Sequence, residues 1–172
     1  MKKLLLPIIA ILIFISESLF VNLFSGELFN SERIFVPRFL MIFLVFLAVY
    51  GTYKLAILYA LMIGLVFDVV YTEILGIYLF VFPVLIYLIA KLAKILQNHL
   101  FIVSILSLLA ISLLEVAVYQ INLIIGFADM TYKEFVLIRL LPTLVLNAAA
   151  VIILSYPLKK RLLSMNLDGR DD

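Results

Sequence analysis

The stretch LMIGLVFDVVYTEILG, from Leu61 to Gly76, places a carboxylate inside a long apolar run. Asp68 follows seven uncharged residues and precedes the uncharged residues Val69 to Thr72. A charged side chain at the centre of a bilayer costs about 2.5–3.5 kcal/mol on insertion scales, so an acid within a membrane helix needs a partner. The sequence therefore poses two questions: whether this run crosses a membrane, and what Asp68 contacts there.

The composition answers the first question. Of the 172 residues, 67% are apolar and only 14% are charged, against about half and a quarter in a typical soluble domain, and the mean hydropathy is +1.29. Because too few polar residues remain to cover a soluble surface, the sequence predicts an all-α integral membrane protein. The small, dispersed net charge of +2 argues against nucleic-acid binding, and the absence of cysteine excludes disulfides and thiolate metal sites.

Six apolar segments are predicted to cross the membrane, for which a helix needs roughly 20 residues. The segments lack the alternation of a β-barrel strand, so we expect a six-helix bundle over residues 1–158 and a short charged cytoplasmic tail over residues 159–172. The predicted spans are Leu4–Phe24, Ile34–Tyr50, Leu55–Tyr71, Ile74–Ala90, Leu100–Gly126 and Phe135–Leu158.

The basic residues predict the orientation of the bundle. If both termini lie in the cytoplasm, most basic side chains fall on the cytoplasmic side, whereas the outer loops carry mainly acids. The basic inner face is suited to anionic lipid. The basic residues assigned to the inner side are Lys2, Lys3, Lys54, Lys91, Lys94, Lys159, Lys160 and Arg161.

The first eighteen residues, MKKLLLPIIAILIFISES, also fit a cleavable signal peptide, with a basic start, an apolar middle and a small-residue ending. The apolar run resumes at once with LFVNLF, which favours a retained first helix. Loss of this helix would leave the other orientations unchanged, so the loop charges do not separate the two alternatives. An intact-mass measurement of the purified protein would.

Five ionisable residues lie inside or near the ends of predicted spans, all in the outer half of the membrane. Glu17, Asp68 and Glu115 lie past the middle of helices that run outward, and Arg38 and Arg139 lie about one turn into helices that run inward. We expect these residues to form a buried polar cluster joining helices one, two, three, five and six, with Arg38 or Arg139 as the partner of Asp68. Alternatively, both arginines and Glu17 extend to the headgroups.

Small residues lead up the third helix to the carboxylate of Asp68. Ala56, Ala60 and Gly64 precede it at intervals of four residues, which places all four on one helix face. Such a stripe lets another membrane helix approach closely. The last helix, within RLLPTLVLNAAA, adds Asn147 to the polar cluster.

The sequence lacks the motifs of common catalytic and cofactor sites. It contains no phosphate-binding loop, no dinucleotide glycine pattern, no zinc-protease motif and no nucleophile elbow. The single histidine, His99, falls in a predicted cytoplasmic loop, and no His, Cys or Asp cluster has the spacing of metal ligands. We therefore predict that the protein is not an enzyme and holds neither metal nor cofactor.

Six short motifs follow one another along nearly the whole chain. They are SESLF from Ser16, PRFLM from Pro37, FDVVYTEILGIYLF from Phe67, SLLE from Ser112, IRLLPTLVLN from Ile138 and SYPLKKR from Ser155. In order, spacing and chain length, they resemble the MreD family of bacterial rod shape-determining proteins.

The resemblance implies a non-catalytic, multi-pass subunit of the bacterial inner membrane, within the elongation machinery that guides sidewall peptidoglycan synthesis. The partners it implies are the bitopic protein MreC, the MreB filament, and the RodA glycosyltransferase with its penicillin-binding transpeptidase. The family is also similar to the six-helix substrate-binding subunits, or S components, of energy-coupling-factor vitamin transporters. It supplies no catalytic residue and no cofactor for this chain.

Three functions follow as hypotheses. In the first, the small-residue stripe and the polar cluster dock the transmembrane helix of an MreC-like partner. In the second, the cluster lines an outward pocket for a small molecule, which an open outer end would favour and a closed one would oppose. In the third, Arg38 or Arg139 faces the pyrophosphate of a lipid-linked precursor. Tyrosines available to line the pocket are Tyr71, Tyr78, Tyr119 and Tyr132.

Overall fold

The computed structural model describes residues 5–24, 33–72, 74–127 and 129–165. Within these ranges the chain forms helices and their connections without any strand, which confirms the all-α prediction. Five helices are long and apolar enough to cross a membrane, and a shorter apolar helix joins them, so the chain is a multi-pass membrane protein. The helices are α1 Leu5–Phe24, α2 Phe39–Tyr50, α3 Tyr53–Tyr71, α4 Ile77–Ile95, α5 Leu100–Ile125 and α6 Tyr132–Ser164.

Helix α2 lies at the centre of the bundle. Eight consecutive residues, Leu40 to Leu47, are each at most 1% exposed, and the helix packs against all five others. Its sequence, FLMIFLVFLAVY, has no polar side chain before Tyr50, and a helix that is apolar on every side is typical of a buried position. Much of the surface of the other five helices is apolar and exposed, as expected for contact with lipid.

The segment before α2 is not helical, which corrects the predicted start of the second span at Ile34. Residues 33–38 form a non-helical segment, and α2 begins only at Phe39. Pro37 accounts for much of this, because a proline drives the residue before it towards extended backbone. The twelve residues of α2 span about 18 Å, and six extended residues add about 20 Å. The second crossing therefore combines a short helix with the non-helical residues 33–38, which we call the extended segment.

The last helix is longer than predicted and changes its winding near its start. It begins with the α-helical turn Tyr132–Glu134, continues through the π-helical stretch Phe135–Leu140 and ends as the α-helix Leu141–Ser164. The basic residues from Lys159 to Arg161 consequently belong to the helix rather than to a separate tail. Long basic side chains on a helix that leaves the hydrocarbon can still extend to the headgroups, so their charge does not end the helix.

The remaining differences at helix ends range from one to five residues, and the largest is at α4, which ends at Ile95 rather than Ala90. Helix α3 begins two residues early, at Tyr53, and α5 ends one residue early, at Ile125. Helix α4 begins three residues late, at Ile77, because Gly76 before it adopts a left-handed backbone with φ of +115°. The predicted tail beyond residue 165, and Lys2 and Lys3, lie outside the described residues.

The small-residue stripe on α3 packs against α4 of the same chain. Ala56 and Ala60 are fully buried, and Gly64 is buried beside them. A Cβ atom at Gly64 would lie 2.6 Å from the carbonyl oxygen of Tyr78 and 2.8 Å from Cα of Leu79. The two backbones therefore approach more closely than any side chain allows, which makes α3 and α4 a tight hairpin.

Candidate functional site

Glu115 on α5 is the centre of a buried ion-pair network. Its Oε1 accepts a hydrogen bond from Nε of Arg38 at 2.7 Å, and its Oε2 accepts one from Nε of Arg139 at 2.9 Å. The side chains of Glu115 and Arg38 are 0% and 5% exposed, whereas that of Arg139 is 31% exposed. One carboxylate thus holds two guanidinium groups and ties α5 to α6 and to the residue that precedes α2.

Arg38 extends this network to α4. Its Nη2 donates to the hydroxyl of Tyr78 at 2.9 Å, and its Cζ lies 5.2 Å from the centroid of that ring. The ring of Phe67 lies 6.0 Å from the same Cζ. A guanidinium over aromatic faces gains electrostatic stabilisation that is larger where water is excluded. Arg38 therefore does not extend to the headgroups, so the alternative in which both arginines and Glu17 reach them does not hold for Arg38.

Glu17 on α1 is buried but does not bind an arginine. Its Oε2 accepts from the backbone N–H of Leu40 at 3.1 Å, in the first turn of α2. A carboxylate is stabilised at this end of a helix by the partial positive charge of the unpaired N–H groups. The role found for Glu17 is thus to cap the central helix from a neighbouring one.

Asp68 also binds backbone, so the prediction that Arg38 or Arg139 is its partner is wrong. Its two carboxylate oxygens accept from the N–H groups of Gly76, Tyr78 and Leu79, each at 2.9 Å. Asp68 is 0% exposed, and these donors belong to the start of α4. The positive end of one helix neutralises an acid on the helix before it, because both lie in one tight hairpin.

The extended segment before α2 is held by polar side chains of α6. Asn147 donates from Nδ2 to the carbonyl of Val36 at 2.9 Å and accepts at Oδ1 from the backbone N–H of Arg38 at 2.8 Å. Thr143, one turn earlier, accepts from the N–H of Val36 at 3.2 Å. Irregular backbone at membrane depth is stable only when protein groups satisfy it in this way. Asn147 was predicted to join the cluster, whereas Thr143 was not recognised.

A proline in α6 completes the attachment of the extended segment. Pro142 has no N–H, so it cannot donate to the carbonyl of Ile138 four residues before it. That carbonyl instead accepts from the backbone N–H of Ile34 at 2.8 Å. The neighbouring π-helical stretch contains Arg139, and single π turns are frequent at functional sites.

The bundle is open at the end that carries the α3–α4 and α5–α6 connections, predicted to face outward. A cavity of about 520 Å³ lies there between the last turns of α3 and α5 and the first turns of α4 and α6. The exposed part of Arg139 lines it, as do three of the four tyrosines named from the sequence, Tyr71, Tyr78 and Tyr119. Tyr132 is exposed beside the cavity and is not part of its lining.

The wall formed by α5 and α6 is held together by ring stacking and hydrogen bonds. The ring of Tyr119 stacks on that of Phe135 with centroids 4.1 Å apart, and its hydroxyl donates to the carbonyl of Met130 at 2.9 Å. Thr131 and Glu134 form a capping box that starts α6. Among the described residues, no group of three or more His, Cys, Asp or Glu side chains is arranged to hold a metal ion.

Comparison with known proteins places the chain in a family. A family model described as rod shape-determining protein MreD matches residues 2–165, almost the whole chain. The chain belongs to the MreD family. A curated relative, the rod shape-determining protein MreD of Bacillus subtilis (strain 168), is 37% identical over 172 residues, which are 100% of both chains. No solved structure matches significantly, so the likeness to transporter S components stays a prediction.

Membership of the MreD family confirms the resemblance inferred from the six sequence motifs. It makes the chain a rod shape-determining membrane protein. The structure places four of the six predicted site residues in direct contact, namely Arg38, Glu115, Arg139 and Asn147. Glu17 and Asp68 are buried nearby, and their carboxylates accept from N–H groups at the starts of α2 and α4. A docking role for any of these residues stays a prediction.

Proposed function

We propose that the chain is a non-catalytic scaffold of the cell-elongation machinery in the bacterial inner membrane. It docks the transmembrane helix of an MreC-like bitopic protein and thereby helps to organise sidewall peptidoglycan synthesis. The observation that carries this proposal is membership of a rod shape-determining family over the whole chain. Through this partner the scaffold associates with the MreB filament, RodA and the penicillin-binding transpeptidase.

The engagement of the buried charges supports a structural role. Glu115 holds Arg38 and Arg139, while Glu17 and Asp68 cap helices, so each acid is already bound within the chain. A general acid or base needs a proton-accepting atom within reach of a substrate, whereas these carboxylates are enclosed. The cluster fixes the relative positions of the helices on which a partner would dock.

The docking surface proposed here lies on the exposed face of α6. The α3 stripe is already buried within the chain, with α4 against it at Gly64, so a partner helix requires another surface. On α6, Val145, Ala149, Ile152 and Tyr156 are exposed and recur at intervals of three or four residues. Ala149 is the small residue at the middle of this face, where it allows a second helix to approach closely.

Co-purification of the chain with its MreC-like partner in detergent tests this surface. Ala149→Phe should reduce the recovered complex at least about tenfold, because the larger side chain keeps the helices apart. Val66→Phe is the matched control, since Val66 is exposed on α3 and should leave the complex intact. Equal recovery of the complex with both variants would place docking elsewhere.

The same experiment separates the buried cluster from the α6 surface. Asp68→Ala and Arg139→Ala variants that fold normally should keep the partner if docking uses only the exposed face. Loss of the complex from normally folded variants would show instead that the cluster takes part in docking, as the sequence first suggested.

The cytoplasmic end of the bundle is suited to anionic lipid. Lys91 Nζ lies 4.4 Å above the ring of Tyr87, and Lys159 Nζ lies 5.2 Å from the ring centroid of Tyr50. Tyrosine and lysine together are typical of side chains at the headgroup level. Retention of phosphatidylglycerol by the detergent-purified chain should therefore weaken as salt rises, because the attraction is screened within about 10 Å at 0.1 M.

A further inference from the structure

The cavity at the end of the bundle that is predicted to face outward is lined by side chains with unused hydrogen-bond donors. We propose that it binds the phosphate or carboxylate group of a small organic ligand, through the terminal nitrogens of Arg139 and the hydroxyl of Tyr78. The ligand is either a soluble compound from outside the cell or the headgroup of an outer-leaflet phospholipid. Both sources present the same oxyanion chemistry to the cavity.

Arg139 supplies the first donors. Only its Nε is bonded to Glu115, so the two terminal nitrogens remain for a ligand on the side that lines the cavity. Glu115 is shared with Arg38, which leaves this three-residue network with one positive charge in excess. Arginine binds carboxylate and phosphate with two parallel hydrogen bonds, the strongest polar contact that a side chain can offer them.

Tyr78 on α4 and Asn122 on α5 add further donors. The hydroxyl of Tyr78 accepts from Arg38, so its own proton remains to donate, and the residue lines the same cavity. Asn122 uses one amide hydrogen on the carbonyl of Val118 and keeps a second. A cavity rich in donors and backed by a guanidinium favours an acceptor that carries negative charge.

The acids near the cavity do not oppose this assignment. Among the described residues that line it, Asp129 is the sole acid, and it lies exposed in the α5–α6 connection, where solvent and salt screen its charge. Asp68 and Glu17 are engaged with the N-termini of α4 and α2. The charge of Asp68 is therefore offset by helix N–H groups. That of Glu17 is offset by the N–H of Leu40 and by nearby Arg38, and neither acid lines the cavity.

The size and walls of the cavity indicate more than a bare ion. Its volume of about 520 Å³ is within the range of small-molecule pockets, roughly 300–1,000 Å³. Tyr119 and Phe135 form a stacked pair on one side, and Ile74 and Ile77 lie on the other. We expect an organic group to pack against these side chains while the oxyanion contacts Arg139.

Binding to the purified full-length chain in neutral detergent tests the inference. Phenyl phosphate serves as the free probe and benzyl alcohol as its uncharged counterpart, with affinity measured by calorimetry. Phenyl phosphate should bind, and Arg139→Gln should weaken its affinity at least about tenfold. Arg33→Gln is the matched control, since Arg33 is an exposed arginine outside this cavity. The affinity of this variant for phenyl phosphate should stay unchanged.

Arg139→Gln also removes a contact to Glu115 and could lower binding by disturbing the fold. A second variant that keeps this contact is therefore needed. Ile74→Trp leaves the charges in place and fills the cavity, so it should weaken phenyl phosphate binding by a similar factor. Unchanged affinity in both folded variants, or benzyl alcohol binding as tightly as phenyl phosphate, would overturn the inference.

The source of the ligand is read from a parallel measurement. Native mass spectrometry of the chain taken from phosphatidylglycerol membranes should show retained lipid that Arg139→Gln and Ile74→Trp release, if the headgroup is the ligand. Binding of phenyl phosphate without retained lipid assigns the site to a soluble compound. No partner protein is present in these binding measurements. A negative result would therefore overturn the ligand site without affecting the docking proposal, which the co-purification experiment tests.

Discussion

Asp68 and Glu115 are both fully enclosed carboxylates in the predicted outer half of the bundle, yet they are neutralised in opposite ways. Asp68 accepts from three backbone N–H groups, none more than 11 residues away along the chain. Glu115 binds two arginines that lie 77 and 24 residues away. The first contact is local and uses the start of a helix, whereas the second is long-range and uses two full charges.

The contrast shows that a buried acid in a membrane protein need not mark a charged partner. At Asp68, the donors are fixed by the fold of one hairpin, and removing the acid leaves no cation behind. At Glu115, removing the acid leaves two guanidinium groups without the carboxylate that binds both, and one of them is buried. The long-range site should therefore be the more sensitive of the two, and the following variants test that ranking.

Glu115→Gln should have the largest effect. Breaking a buried ion pair on one side costs about 3–5 kcal/mol of unfolding free energy, since the remaining charge stays buried. Reversible unfolding of the purified protein in mixed detergent measures this loss. Replacing Glu115, Arg38 and Arg139 together by leucine or methionine should restore part of the stability, and a triple variant less stable than Glu115→Gln would contradict the explanation.

Asp68→Asn should destabilise less than Glu115→Gln. The amide keeps one acceptor oxygen but loses the negative charge, and a hydrogen bond to a charged group contributes about 1.5–3 kcal/mol. The same unfolding experiment gives the comparison directly. A larger loss for Asp68→Asn would reverse the ranking and show that the helix N-terminus is the stronger of the two partners.

Gly64→Ala tests how closely the hairpin must pack for the Asp68 contact to form. The added methyl group would meet the backbone of Tyr78 and Leu79, which cannot rotate away, so a loss of about 1–3 kcal/mol is expected from overpacking. Leu65→Ala, at the next position but exposed to lipid, should change the stability much less. Similar losses for both variants would mean that the close approach is dispensable.

Thr143→Val should cause the smallest loss of stability. Like the contacts of Glu115, the contact that it removes joins residues far apart in the sequence. It leaves the backbone N–H of Val36 without its acceptor, at a cost of about 1 kcal/mol. Amide hydrogen exchange should speed up in residues 34–36 and at Arg38, while the amides of Tyr78 and Leu79, bonded to Asp68, stay protected. Faster exchange in both regions would indicate that they are not independent.

Much of the architecture could be predicted from the sequence, because hydropathy alone decides which segments prefer lipid. Counting residues along helices also predicted that Glu17, Asp68 and Glu115 lie within the bundle rather than at its ends, and all three are buried. Pairing of the acids with the two arginines was expected on energetic grounds. The acid that binds them was not predicted, because both arginines bind Glu115 and neither binds Asp68.

The partner of Asp68 could not be predicted in the same way, because nearly every residue has a backbone N–H and residue type does not show which one is available. The signal available was Gly76, eight residues later, where a glycine with a left-handed backbone starts the next helix. The extended segment was missed for a related reason: Val36 and Phe35 are as apolar as any helix residue. Only Pro37, together with Thr143 and Asn147 one turn apart on α6, indicated that the backbone leaves the helix there.

The extended segment over residues 33–38 has a consequence for the order in which the protein is assembled during synthesis. Its backbone groups are satisfied by Thr143 and Asn147, between 107 and 111 residues later in the chain. When the ribosome has made the second span, those partners do not yet exist, and unsatisfied backbone is not stable in hydrocarbon. The second span must therefore remain beside water or the insertion machinery until the sixth span has been synthesised. The centre of the bundle is then the last part to pack.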